Sequence, residues 1–133
     1  MIAGVADTHT ALWYLFGDER LSDHAKFFID TTALAQRKIA VSSISLAELV
    51  YLVEKQRLPS SAYDDLVAAL GHPQHVFTEV AFTVAVVEAM RQVLRAEVPD
   101  MPDRIIAATA VYLNVPVISR DRRILSTKLK TIW

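Results

Sequence analysis

At 133 residues the chain fits one domain with a single continuous core, and no repeat, linker or low-complexity segment divides it. Its 53% hydrophobic composition leaves apolar surface for a partner chain, while the absence of cysteine excludes disulfides and thiolate zinc sites. A net charge of −1 excludes a polycation, and with no leader-like start and no run of roughly 18 apolar residues, no membrane span and a cytoplasmic location are expected.

Ile2 to Ala6 is a short apolar run of the kind that forms a buried strand, and it stops at Asp7-Thr8. Either residue can cap the helix that follows, with Leu12, Leu15 and Phe16 on its inner side and Gly17 as its stop. Of the neighbours Trp13 and Tyr14, only one is expected to face inward, the other marking an interface. Ser22 caps a second helix, where Ala25, Phe28, Ile29 and Ala33 recur at helical spacing, and Lys38 to Ser42 reads as a second strand. Ser45 and Glu48 have the capping-box pattern, so a third helix is predicted to begin at Ser45, with Leu46, Leu49, Val50 and Val53 on one stripe. Pro59-Ser60-Ser61 restarts the chain into a helix carrying Tyr63, Leu66, Val67 and Leu70, closed by Gly71 and Pro73. His75 to Val80 is a third short strand, and Phe82, Ala85, Val86, Ala89 and Val93 mark a longer helix.

The stretch from Asp100 to Asp121 organises the rest. Asp103 opens a helix with Ile105, Ile106, Ala108, Thr109, Tyr112 and Leu113 at helical period; Pro102 suits its first turn, and Asn114 and Pro116 end it. Val115 to Ser119 is a buried strand, followed by Arg120-Asp121, a basic turn and a last edge strand at Thr131 to Trp133. Strands alternating with helices imply parallel pairing through right-handed crossovers. The fold class is α/β, a three-layer α/β/α sandwich with a four- to five-stranded parallel sheet.

Asp7 follows the first strand, Glu48 sits early in the helix after the second, Asp103 opens the penultimate helix, and Asp121 follows the fourth strand. In a parallel sheet these positions share the carboxyl-terminal rim. Each acid alone can be explained as a cap or a turn residue; together they would repel one another unless a cation joined them. Oxygen-only ligands point to Mg²⁺ or Mn²⁺, which activates water against a phosphodiester, so hydrolysis of a nucleic-acid backbone is the reaction suggested. Arg104 and Arg120 adjoin acids in sequence and are the candidates for substrate contact, with Arg122, Arg123, Lys128 and Lys130 adding local positive charge. His9 is read as structural, since the metal chemistry does not require it.

Four stretches, VADTHTALW, SSISLAELV, DMPDRIIAATA and VPVISRDRRI, span almost the whole chain. With them the sequence resembles PIN-domain ribonucleases, most closely the VapC-type toxins of bacterial and archaeal toxin–antitoxin pairs. The resemblance implies one PIN-like domain over residues 1–133, a Mg²⁺- or Mn²⁺-dependent endoribonuclease acting on RNA, a homodimer, and a cognate antitoxin whose arm covers the acidic site. By position it carries catalytic and metal-ligand roles to Asp7, Glu48 and Asp103, with Asp121 as the fourth acid. Thr8 and Ser119 match hydroxyl positions that orient carboxylates or a metal-bound water. The run Val98-Pro99-Asp100-Met101-Pro102 lacks the histidine and Asp-Pro pair of a related subgroup, which leaves Asp100 at most a supporting place. Two rival readings stand beside this one: a PIN nuclease of RNA processing outside a toxin pair, and a non-catalytic α/β interaction module whose acids only cap helices. A receiver-like phosphotransfer domain is discounted, because Ser119-Arg120 stands where it needs a lysine.

Overall fold

Five short strands, all parallel, make the middle layer of the computed structural model, which describes residues 1–133. They are β1 (Ile2–Ala6), β2 (Lys38–Ser42), β3 (Phe77–Val80), β4 (Val117–Ile118) and β5 (Thr131–Ile132), in the order β3-β2-β1-β4-β5. The helices are α1 (Thr8–Phe16), α2 (Asp23–Leu34), α3 (Ser43–Glu54), α4 (Ser60–Gly71), α5 (Val84–Ala89), α6 (Met101–Leu113) and α7 (Arg122–Leu125). None of them is long and apolar enough to cross a membrane.

A parallel sheet is covered on both faces, so successive strand residues feed two cores. On one face Ile39, Val41, Phe77 and Ile118 pack with Leu12, Trp13, Ile29, Leu49 and Leu66. On the other, Val5, Ala40 and Val117 meet Val86, Ile105, Ile106 and Ile124, with Ala107, Ala108 and Ala110 letting α6 lie close to the sheet. Leu49 and Ile106 are fully buried, and each contributes about 2–3 kcal/mol through the area removed from water. Where α2 presses on β1 the approach is close: a Cβ on Gly4 would stand 3.2 Å from Phe28 Cε2 and 3.3 Å from Pro116 O, so either neighbour would have to give by a few tenths of an ångström.

The chain runs from β1 outward through β2 to β3, then returns to place β4 and β5 on the other side of β1. That reversal opens a crevice at the carboxyl ends of β1 and β4, where no crossover helix can cover both.

Several boundaries differ from the sequence expectation. Helix α3 starts at Ser43, not Ser45, because Ser42 Oγ accepts from Ile44 N–H and caps it. The capping box therefore does not form, and Ser45 and Glu48 are left for other partners. The longer helix expected to run to Val93 is six residues of α5 followed by a 3-10 turn at Met90–Gln92. Helix α6 begins at Met101 with Asp100 as its cap, and Asp103 lies in its first turn. Strand β4 is two residues rather than five, since Val115 N–H still bonds to Ala110 O at the helix end. The basic turn after Asp121 coils into α7, which buries Ile124.

Trp13 and Tyr14 both reach the same core, against expectation. Helix α1 lies over the centre of the sheet, so its two flanks reach opposite edges: Tyr14 lies 5.6 Å from Phe77 beside β3, Trp13 6.0 Å from Trp133 beyond β5. Phe16 and Tyr112, expected inside, are 49% and 51% exposed, each in the last turn of its helix outside the strip that packs on the sheet.

Candidate active site

A cavity of about 400 Å³ is lined by Asp7, Glu48, Asp100, Asp103 and Asp121, together with Thr8, His9, Trp13, Arg20 and Arg120. Five carboxylates from four separate parts of the chain thus share one space. Asp7 leaves β1 and caps α1, its Oδ1 accepting Thr10 N–H at 2.9 Å while its Oδ2 accepts from Ser119 Oγ. Ser119 follows β4 and its Oγ also accepts Asp121 N–H at 3.0 Å, so one hydroxyl ties the acids of two strands together. Thr10 Oγ1 donates to Ile118 O at 3.0 Å and locks α1 to β4.

Glu48 is oriented from α1. Its Oε1 lies 2.6 Å from Thr8 Oγ1, which is also 2.9 Å from Ser45 Oγ. A hydroxyl carries one proton, so Thr8 gives its own to the carboxylate and shares that of Ser45. Asp121 caps α7, its Oδ1 accepting the N–H groups of Arg123 and Ile124. Asp100 caps α6 through Asp103 N–H at 3.1 Å.

Asp103 is the acid least satisfied by the protein. Burial and the negative charges of Asp100, Asp121, Glu48 and Asp7 push its carboxyl from 3.8 up to about 8, and no hydrogen bond offsets them. None of these five acids belongs to the chain's three ion pairs, which join Arg20 to Asp18, Lys26 to Asp30 and Arg91 to Glu88. The five acids thus offer oxygen donors only, and none of them is ion-paired, a donor set that fits a hard divalent ion. As the side chains stand, no three acids or imidazoles are set closely enough to hold an ion. To hold an ion, at least three of these carboxylates would have to come closer together than they stand.

Arg104, a candidate for substrate contact, is turned away from the cavity. Its Nε and Nη2 donate to Val93 O at 2.9 Å and Met90 O at 3.0 Å, closing the end of the 3-10 turn. Arg120 does line the cavity, and so does Arg20, which the sequence reading passed over. Only the stop at Gly17 hinted that the chain doubles back there. His9 is exposed at the lip, its ring tilted against Trp13 at 5.7 Å.

Comparison with known proteins fits this arrangement. The PIN-domain family model matches residues 5–129. Over its full length the chain is 31% identical to "Ribonuclease VapC22" of Mycobacterium tuberculosis, covering 100% of that protein. Among solved structures it is similar to VapBC2 from Rickettsia felis bound to a promoter DNA fragment, with a TM-score of 0.70, 21% identity, and 98% of this chain and 97% of that one covered. DNA-bound VapBC from Salmonella typhimurium gives a TM-score of 0.66 at 19% identity over the same shares. At these identities the structural likeness speaks to the fold.

Proposed function

The chain belongs to the PIN-domain family, and on that premise we propose that it is a Mg²⁺- or Mn²⁺-dependent endoribonuclease, the toxin of a toxin–antitoxin pair. The observation that carries this reading is the convergence of five carboxylates, none with a cationic partner, in one cavity at the crevice of a parallel sheet. Acids that only capped helices would not account for Glu48, whose partner is a hydroxyl on another helix, or for Asp103, which caps nothing. This tells against the non-catalytic module.

Asp7, Glu48, Asp103 and Asp121 are the residues that would hold the ion. When bound, it supplies charge to a phosphodiester oxygen and lowers the pKa of a water it holds. The chain's own contribution is positional. Ser119 and Thr10 fix Asp7, Thr8 and Ser45 fix Glu48, and each carboxylate oxygen so engaged keeps a lone pair free. Burial and the neighbouring acids favour the protonated form of Asp103 in the metal-free protein, and a bound cation would favour its carboxylate. Arg120 adds positive charge at the cavity for the RNA phosphates.

A homodimer and a cognate antitoxin complete the proposal. The neighbours of known structure include two VapBC complexes and a toxin–antitoxin complex from Klebsiella pneumoniae, and exposed apolar side chains such as Phe27, Val84 and Met101 offer surface for partner chains. The test is cleavage of RNA by purified protein with Mn²⁺, with EDTA, and by the Asp103→Asn variant. Cleavage is expected only in the first case. Activity that persists in both of the others removes the metal-nuclease reading.

A further inference from the structure

Gly17 ends α1 in the left-handed conformation (φ 64°), and Asp18 N–H returns to Trp13 O at 2.8 Å, so the chain doubles back along the helix. Asp18 then grips Arg20: Oδ1 accepts from Arg20 N at 2.9 Å and Nε at 3.1 Å, and Oδ2 accepts from Nη2 at 2.7 Å. Held this way, the guanidinium lies over the Trp13 ring, 5.2 Å from its centre. From the far end of the chain, Arg120 brings its guanidinium to 4.6 Å from the centre of the same ring and has no carboxylate partner. Stacking holds a guanidinium by its face and leaves in-plane N–H groups free for a phosphate.

Both arginines line the cavity of the carboxylates, where Trp13 is the one hydrophobic side chain. Trp13 and Arg20 also border a second cavity, of about 560 Å³, that continues past Leu12 and Phe16 to Arg57. The two cavities share His9, Trp13 and Arg20 in their walls. A polyanion could not sit against five carboxylates alone; it needs cations beside them, and the fold supplies two on a single platform.

We propose that Arg20 and Arg120, positioned by Trp13, bind phosphates of the RNA strand beside the scissile phosphodiester, and that the strand leaves the site across α1 towards Arg57. This rests on the nuclease reading for the meaning of "scissile", but the RNA contact itself is measurable without cleavage. Asp18 and Trp13 are positioning residues.

The experiment is binding of a fluorescently labelled RNA oligonucleotide by anisotropy, in the Asp103→Asn background without metal, across a range of salt. Arg20→Gln and Arg120→Gln should each raise Kd about tenfold and reduce the salt slope by about one. Arg20→Lys should keep the slope and recover only part of the affinity. Arg91→Gln, outside both cavities, should change neither. In the otherwise native protein with Mn²⁺, Arg20→Gln should raise KM about tenfold with kcat within about twofold. Arg20 is exposed, so its variants should fold; thermal unfolding checks this. Unchanged Kd and slope in both glutamine variants overturns the proposal, as does an equal effect of Arg91→Gln. If the native protein fails to cleave RNA yet the slopes fall as stated, the nuclease reading fails and the RNA-binding rim stands.

Discussion

Replacing Asp103 by Asn should stabilise the metal-free protein while removing its response to metal. In the unfolded chain this carboxyl ionises near 3.9; in the folded, metal-free protein it does so at about 8. Between those values the folded state keeps a proton that the unfolded state has released, so stability falls as pH rises from about 4 to about 8. At about 1.4 kcal/mol per pKa unit, a fully shielded group would lose more than 5 kcal/mol across that window. Asp103 keeps part of its surface in water, and screening brings the loss down to about 2 kcal/mol. The assay is thermal or urea unfolding of native and Asp103→Asn proteins in EDTA at pH 5 and pH 8. The two should be nearly equal at pH 5, and the variant more stable by about 2 kcal/mol, or roughly 6 °C, at pH 8. Adding Mn²⁺ at 100 times its Kd should restore about 2.7 kcal/mol to the native protein and little to the variant. Equal pH dependence of the two proteins would refute the idea that burial and the neighbouring carboxylates together raise the Asp103 pKa.

Thr8→Val keeps the shape of the side chain and removes the hydroxyl that holds Glu48; calorimetric titration should show Mn²⁺ affinity lowered about 10- to 100-fold with the fold intact. Arg104→Gln removes the guanidinium bonds to the carbonyls of Met90 and Val93. It should lower stability by about 1–3 kcal/mol in urea and leave the KM for RNA unchanged, the reverse of Arg20→Gln. Ser42→Ala removes the cap of α3 and should cost about 1 kcal/mol, measured by urea unfolding, whereas Ser45→Ala should lower Mn²⁺ affinity, since Ser45 bonds to Thr8.

The alternation of short apolar runs with helical periods was enough to read the order of strands and helices, the parallel sheet and the rim on which Asp7, Glu48, Asp103 and Asp121 fall. These features are local or follow from local ones: strand periodicity, caps, and the handedness of crossovers. Boundaries were less legible where two caps competed. Ser42 and Ser45 both offer an N-cap, and the choice went to Ser42 because Ser45 and Glu48 are drawn to Thr8, about forty positions away. Spacing within α3 cannot encode a partner on α1.

The same reason divides the arginines. Arg104 and Arg120 each adjoin an acid in sequence, yet only Arg120 faces the cavity, because Arg104 lies within reach of carbonyls left open where the 3-10 turn ends. Arg20, far from any of the four acids in sequence, joins them because Gly17 reverses the chain beside Trp13. The sequence by itself determined which elements form and at which end of the sheet the acids gather, since those depend on neighbours within a turn or two. The tertiary structure alone decided which hydroxyl holds which carboxylate and which cations stand beside them, since those contacts depend on distances that only packing sets.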